Sequence, residues 1–173
     1  MSGESANFNE RSEVFRIIEA DHLSMLREIL IGGGLAVVTV AIHGVGFDAL
    51  LRAIMWSRAL ATSGVWRVAP LVISLTCWLI LIHLAEIFVW GLFYFWQGCL
   101  PDVQSAIYFS GGAYTTVGGS LALSEPWRMF APLEALTGAL MFALSGGLFF
   151  AIVSRWIHNF MEAQARVYGA RNK

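Results

Sequence analysis

The chain has 173 residues, of which 57% are hydrophobic and only 13% charged, with a formal net charge of −1. A soluble domain carries nearer a quarter charged residues, so the composition excludes an ordinary soluble protein and indicates an integral membrane one. Near-neutrality supplies no global field for nucleic acid, and Cys77 and Cys99, about 33 Å apart along one predicted helix, are too distant to pair.

Residues 1–28 form a polar N-terminal segment. Its first ten residues are small and polar and read as disordered. Over 12–28, Val14, Phe15, Ile17, Ile18, Leu23, Met25 and Leu26 fall at loosely helical spacing behind Ser12 as a cap, which predicts an interfacial helix. The acidic content here is the wrong composition for a cleavable leader. Residues 29–47 are nineteen residues without a charge, about 28 Å of helix and enough for a first transmembrane span. This span contains His43, and Gly32, Gly33 and Gly34 near its start mark either a close helix approach or a fraying end. Residues 48–70 are too charged to span. Leu50, Leu51, Ile54, Met55 and Leu60, with Arg52 and Arg58 between them, predict an amphipathic connector at the membrane surface.

Leu71–Trp96 is the second predicted span, closing on an aromatic belt of Phe88, Trp90, Phe93, Tyr94, Phe95 and Trp96. Inside it His83 and Glu86, three residues apart, share one helix face. After the turn at Gly98–Pro101, Asp102 is placed to cap a short helix running from Val103 to about Gly111. A short polar return, Leu121–Arg128, leads to the third span, Met129–Trp156. Residues 157–173 are a polar tail. Lys and Arg concentrate in the connector and the tail, while the segment between spans two and three carries only Arg128. The charge bias therefore predicts a cytoplasmic connector and C-terminus and an N-terminus outside. The three arginines of the N-terminal segment run against that orientation.

The stretch from Val103 to Ser120 is apolar but too short and too rich in Gly and Thr to span. Between two spans it reads as a re-entrant loop, a form tolerated at membrane depth only where protein or a water-filled cavity covers it. The order within it (cap, short helix, then Thr115-Thr116-Val117-Gly118-Gly119) suits cation passage. A helix C-terminus favours a cation, glycines let carbonyls aim at one axis, and a ring of carbonyl and Thr oxygens can replace a hydration shell. One loop per chain makes such a ring an oligomer.

The sequence YFSGGAYTTVGG resembles the pore helix and filter of the potassium-channel superfamily, over roughly Val72–Ser154. It is similar also to small bacterial three-span members, in which a His-bearing first helix and a His-x-x-Glu second helix precede the pore. Pro126-Trp127-Arg128 and Leu133–Gly138 fit that group. The resemblance implies an all-α membrane fold: three transmembrane helices, a re-entrant pore helix and filter, and a homotetrameric pore in a bacterial inner membrane. It implies ion-binding oxygens within Thr115, Thr116, Val117, Gly118, Gly119 and Ser120, with monovalent cations at Thr116, Val117 and Gly118, and a hinge at Gly138. Bound K+ or Na+ is the only ligand implied, with no cofactor and no partner beyond the homotetramer and the bilayer. Where the family carries Gly-Tyr-Gly-Asp, this chain carries Gly118-Gly119-Ser120-Leu121. The Tyr is either replaced by Gly119 or deleted, and filters lacking it can pass sodium as well as potassium.

His43, His83, Glu86 and Glu134 form a candidate polar intramembrane group. Ionisable residues at membrane depth need partners, so the first three are read either as a hydrogen-bonded contact between the first two spans or as a proton- or metal-sensitive group. A metal wants three or four ligands, and the sequence offers three. Glu134, early in the third span, is placed either near the filter base or against another helix. Gly146 and Gly147 give the third span width or flexibility in a pore and tight packing in a bare bundle. There is no nucleophile–base–orienter constellation, phosphate loop or zinc spacing, so no enzyme is expected. A non-selective monovalent cation channel and a non-conducting membrane sensor or scaffold are the alternatives to a potassium-channel-like pore. The chain has no arginine ladder of the voltage-sensing kind.

Overall fold

The structure is a computed structural model and describes residues 2–56 and 68–171. Every regular element among them is helical: α1 (Ser2–Trp56), α2 (Val68–Trp96), α3 (Val103–Tyr114), a 3-10 turn (Trp127–Met129) and α4 (Phe130–Arg171). Three stretches are long and apolar enough to cross a membrane, His22–Trp56, Ala69–Trp96 and Trp127–Arg166. At 1.5 Å per residue α1 is about 80 Å long and α4 about 60 Å, both well beyond a hydrocarbon core of about 30 Å.

Two helices therefore run past the boundaries expected of them. Residues 1–10, read as disordered, belong from Ser2 onward to α1, because Glu4, Ala6, Glu10 and Arg11 are competent helix formers with no proline among them. No boundary falls at 28/29 or 47/48 either. The helix continues through Asp48, whose carboxylate takes a 2.8 Å bond from Arg52 Nε one turn on. Of the expected connector, 48–56 is thus helix α1, and 57–67 lies outside the described residues. The polar tail likewise continues α4 to Arg171, with His158–Glu162 and Glu162–Arg166 pairs at i,i+4 spacing. Both cysteines are free, and Cys99 lies past the end of α2.

Helix α2 carries Pro70 in its first turn, where a missing N–H costs nothing. It closes on a left-handed Gly98 (φ 67°), with Cys99 N–H donating to the Tyr94 carbonyl and Gly98 N–H to that of Phe95. This Schellman ending turns the chain sharply back so that α3 packs against α2. Two apolar clusters mark opposite ends of the bundle. One joins Leu50 and Ile54 of α1 to Leu71 and Leu75 of α2 and to Ile152 and Trp156 of α4. The other joins Trp90, Tyr94, Leu100, Ala106, Leu123 and Phe130, with Ile31 and Leu35 of α1 against it. The first half of α1 and the return loop accordingly share one end. Gly32 gives the close approach considered for it, since a Cβ there would lie 2.6 Å from Leu133; Gly33 and Gly34 face open space. Between the apolar clusters lie buried polar side chains, among them Thr39, His43, His83, Glu86 and Ser145.

Candidate ion pathway and buried polar network

Asp102 starts the pore helix as its sequence position suggests. Its Oδ1 accepts from Ser105 N–H at 2.8 Å and its Oδ2 from Ser105 Oγ at 2.8 Å. The Ser105 N–H, then its hydroxyl, hold the Asp102 carboxyl below the usual range. Helix α3 then runs a turn further than expected, to Tyr114. Thr115 N–H and Thr115 Oγ1 both donate to the Gly111 carbonyl, at 3.1 and 2.6 Å, and Thr116 N–H donates to the Ala113 carbonyl at 3.0 Å. Thr116 (φ 61°) and Gly118 (φ 74°) take left-handed backbone angles. The loop thus folds back on its own helix, and Gly118 N–H donates to the Gly112 carbonyl at 2.9 Å. A Cβ on Gly112 would lie 2.7 Å from the Gly118 carbonyl oxygen, so the return is possible only because Gly112 has no side chain. Thr115 through Ser120 are all exposed in the single chain, and Val117 is 83% exposed.

The pore helix is held by two buried networks. Glu134 of α4 is fully buried. It accepts from Tyr94 Oη of α2 at 2.7 Å and lies 2.5 Å from Ser110 Oγ of α3. Ser110 Oγ also reaches the Ile87 carbonyl at 2.8 Å. Trp90 Nε1 donates to Thr39 Oγ1 of α1 at 2.9 Å. Glu134 thus faces other helices, and it does not join His43, His83 and Glu86 as membrane depth alone suggests; it bonds Ser110, a full turn before Tyr114. Fully enclosed, it is not a pore-lining group within the subunit.

The second network contains His43, His83 and Glu86. His43 Nδ1 lies 2.7 Å from Glu86 Oε1, which ties the first span to the second. His83 Nδ1 lies 3.3 Å from Glu86 Oε2 and 2.9 Å from Tyr114 Oη, and Tyr114 Oη donates to Glu86 Oε2. Ser145 Oγ of α4 stands 3.3 Å from His43 Nε2 and 3.0 Å from His83 Nε2. Glu86 and Tyr114 are fully buried, and His43, His83 and Ser145 nearly so. Four helices meet here, and Tyr114 is the residue immediately before Thr115. Among the described residues no buried side-chain nitrogen or oxygen lacks a partner.

Gly138 lies against the same place. A Cβ there would sit 2.1 Å from the Tyr114 carbonyl oxygen, so α4 touches the end of the pore helix backbone to backbone. At Gly146 and Gly147 a Cβ would meet nothing within 4 Å, so these two glycines make no close contact within the chain. Sequence reasoning passed over Tyr114 and Ser110, read Ser145 only as a small residue of the third span, and placed Tyr94 in an aromatic belt, whereas Tyr94 is fully buried against Glu134. The signal that marks them is periodic: Thr39 and His43, Glu86, Trp90 and Tyr94, and Ser110 and Tyr114 each recur four apart, while Glu134, Thr137, Met141 and Ser145 make one buried stripe on α4.

Two spanning helices that enclose a capped re-entrant helix, followed by a Thr-Thr-Val-Gly loop, define a pore-loop domain of the ion-channel kind. Residues 82–157 match the protein-family model described as "Ion channel", which supports a pore-loop channel of the potassium-channel superfamily over this region. No curated protein and no solved structure matches the chain. The chain is an all-α multi-pass membrane protein with an ion-channel domain.

Proposed function

We propose that the chain is one subunit of a homotetrameric channel for monovalent cations, with potassium as the principal ion. Its pore domain is 71–156, of which α2 is the outer helix, α3 the pore helix and α4 the inner helix. Four copies of Thr115–Ser120 ring the axis, and oxygens of Thr116, Val117, Gly118 and Gly119 replace water around the ion. The observation that carries this reading is the loop itself: a short stretch at membrane depth, delivered by a capped helix and anchored at its base, yet wholly exposed in the single chain. Backbone of this kind is tolerable in a membrane only when other protein or a water-filled path covers it. Tyr108, two-thirds exposed on the pore helix, and Val117 supply the adjoining uncovered apolar surface. The filter opens to the outside of a bacterial inner membrane and the C-terminus lies in the cytoplasm. Gating follows from movement of α4 about Gly138, whose contact with the Tyr114 carbonyl transmits it to the filter base, or from the filter itself.

A second reading, a channel that passes sodium as readily as potassium, is favoured by one feature. A cavity of about 340 Å³ stands between the filter residues Gly118 and Gly119, the pore-helix face at Tyr108 and Ala113, and Pro132 and Ala135 of α4. The loop contributes Thr116, Gly118, Gly119 and Leu121 to its wall and no aromatic side chain, so the filter lacks an aromatic brace. Purified protein in liposomes decides between the readings. Potassium flux well above sodium flux supports the first, and equal fluxes the second. Absence of both from a folded tetramer would leave a non-conducting sensor or scaffold.

A further inference from the structure

We propose that His43, His83, Glu86 and Tyr114 form a buried site for a divalent transition metal of the Zn2+ type, which clamps the first two spans to the end of the pore helix. His43, His83 and Glu86 each offer a ligand atom within 4.8 Å of the others. The fourth donor, Tyr114 Oη, lies 2.9 Å from His83 Nδ1 and bonds to Glu86. Two imidazole Nδ1 atoms, a carboxylate and a phenol oxygen thus converge from α1, α2 and α3. Around a tetrahedral metal bonded at 2.0–2.2 Å, such donors stand about 3.3 Å apart. Three of the separations here are 2.7, 3.3 and 2.9 Å, and the ligand atoms of His43, His83 and Glu86 all lie within 4.8 Å of one another, a span that side-chain rotations can bring to that spacing. The nitrogen and oxygen donor set suits Zn2+ or Co2+ and not Mg2+ or Ca2+, which take oxygen ligands alone.

The surroundings of the ring nitrogens suit a metal. All four face oxygen atoms: the two Nδ1 atoms face Glu86 and Tyr114, and the two Nε2 atoms face Ser145 Oγ. Two neutral imidazoles carry two ring hydrogens, and the Ser145 and Tyr114 hydroxyls add two more, but the Tyr114 hydrogen is shared between Glu86 and His83 Nδ1. A metal removes that sharing. Both Nδ1 lone pairs bind it, and both Nε2–H groups donate to Ser145 Oγ, which has two lone pairs. Ser145 then orients both ligands from outside the coordination shell, the usual partner of a metal-bound imidazole.

The test needs no conduction, so its outcome is separate from the channel reading. Untagged full-length protein in lipid nanodiscs, with His22→Ala and His158→Ala to remove exposed histidines, is equilibrated with Zn2+, dialysed, and its metal content measured. One Zn2+ per chain is expected, falling to background in His43→Ala and His83→Ala. Ser145→Ala and Tyr114→Phe keep the cluster's bulk and guard against misfolding; each is expected to weaken affinity about 10- to 100-fold. Co2+ in place of Zn2+ is expected to give the visible absorption of tetrahedral coordination. Background metal content in the starting protein overturns the proposal, as does undiminished affinity in both Ser145→Ala and Tyr114→Phe.

Discussion

Gly138→Ala separates two accounts of one glycine. A new Cβ would stand 2.1 Å from the Tyr114 carbonyl oxygen, whereas real Cβ contacts essentially never fall below 3.0 Å. The obstacle is backbone at the end of a helix, so no rotamer change relieves it; α3 and α4 must separate by about 1 Å. In a helix interior Ala is otherwise better than Gly by about 1 kcal/mol. Overpacking typically costs about 1–3 kcal/mol, and a contact this short belongs at or above the upper end. The net expectation is destabilisation by about 1–2 kcal/mol or more, with reduced flux because the displaced carbonyl directly precedes Thr115. Thermal unfolding in detergent, alongside flux in liposomes, measures both. A variant more stable than the parent, with altered gating, would refute the packing argument and leave Gly138 as a hinge alone.

Gly112→Ala and Gly111→Ala form a matched pair: a Cβ at 112 would lie 2.7 Å from the Gly118 carbonyl oxygen, whereas at 111 the nearest atom is Ile87 Cγ2 at 3.9 Å. Flux should be lost in the first and kept in the second, and equal flux in both would mean the loop does not pack on α3 as described. At Glu134, Gln can retain the bonds to Tyr94 and Ser110 by donating to Ser110 Oγ while Ser110 donates to the Ile87 carbonyl. Ala leaves the Tyr94 hydroxyl unmatched, at about 1–3 kcal/mol, while Ser110 keeps the Ile87 carbonyl. Unfolding temperatures should therefore rank parent and Glu134→Gln well above Glu134→Ala; equal losses in both variants would count against this network. Asp102, with its carboxyl held low by Ser105, contributes stability that is full above the ordinary Asp range and is lost as pH falls through its lowered value. Protection of the Ser105 amide from hydrogen exchange should accordingly hold from neutral pH down to mild acid and fail only in strong acid. Early loss near pH 6 would contradict the cap.

The long apolar helices, the Asp102 cap and the short helix between the second and third of them were legible because each rests on a local rule: hydropathy, capping chemistry, and segment length. The ends of α1 and α4 were not, since polarity alone implied a break. Polar residues such as Glu4, Glu10 and Arg166 are good helix formers, so a helix that leaves the membrane has no reason to stop there. His43, His83 and Glu86 stood out as ionisable residues at membrane depth, and they do meet. Their partners Tyr114 and Ser145 carry no such mark. A phenol and a hydroxyl in an apolar helix are common, and only the crossing of α3 and α4 over α2 brings these two to the histidines. Grouping Glu134 with them fails because depth in the membrane does not fix azimuth: its position on α4 aims it at Ser110, one turn of α3 away from Tyr114.

The filter assignment is tested most directly by the ion occupancy of the assembled protein, solved once in potassium and once in sodium. The account predicts a four-fold ring with cation density on its axis at the level of Thr116, Val117 and Gly118, strongest in potassium. Density on no axis, or loops turned away from one another in a well-ordered assembly, would contradict it.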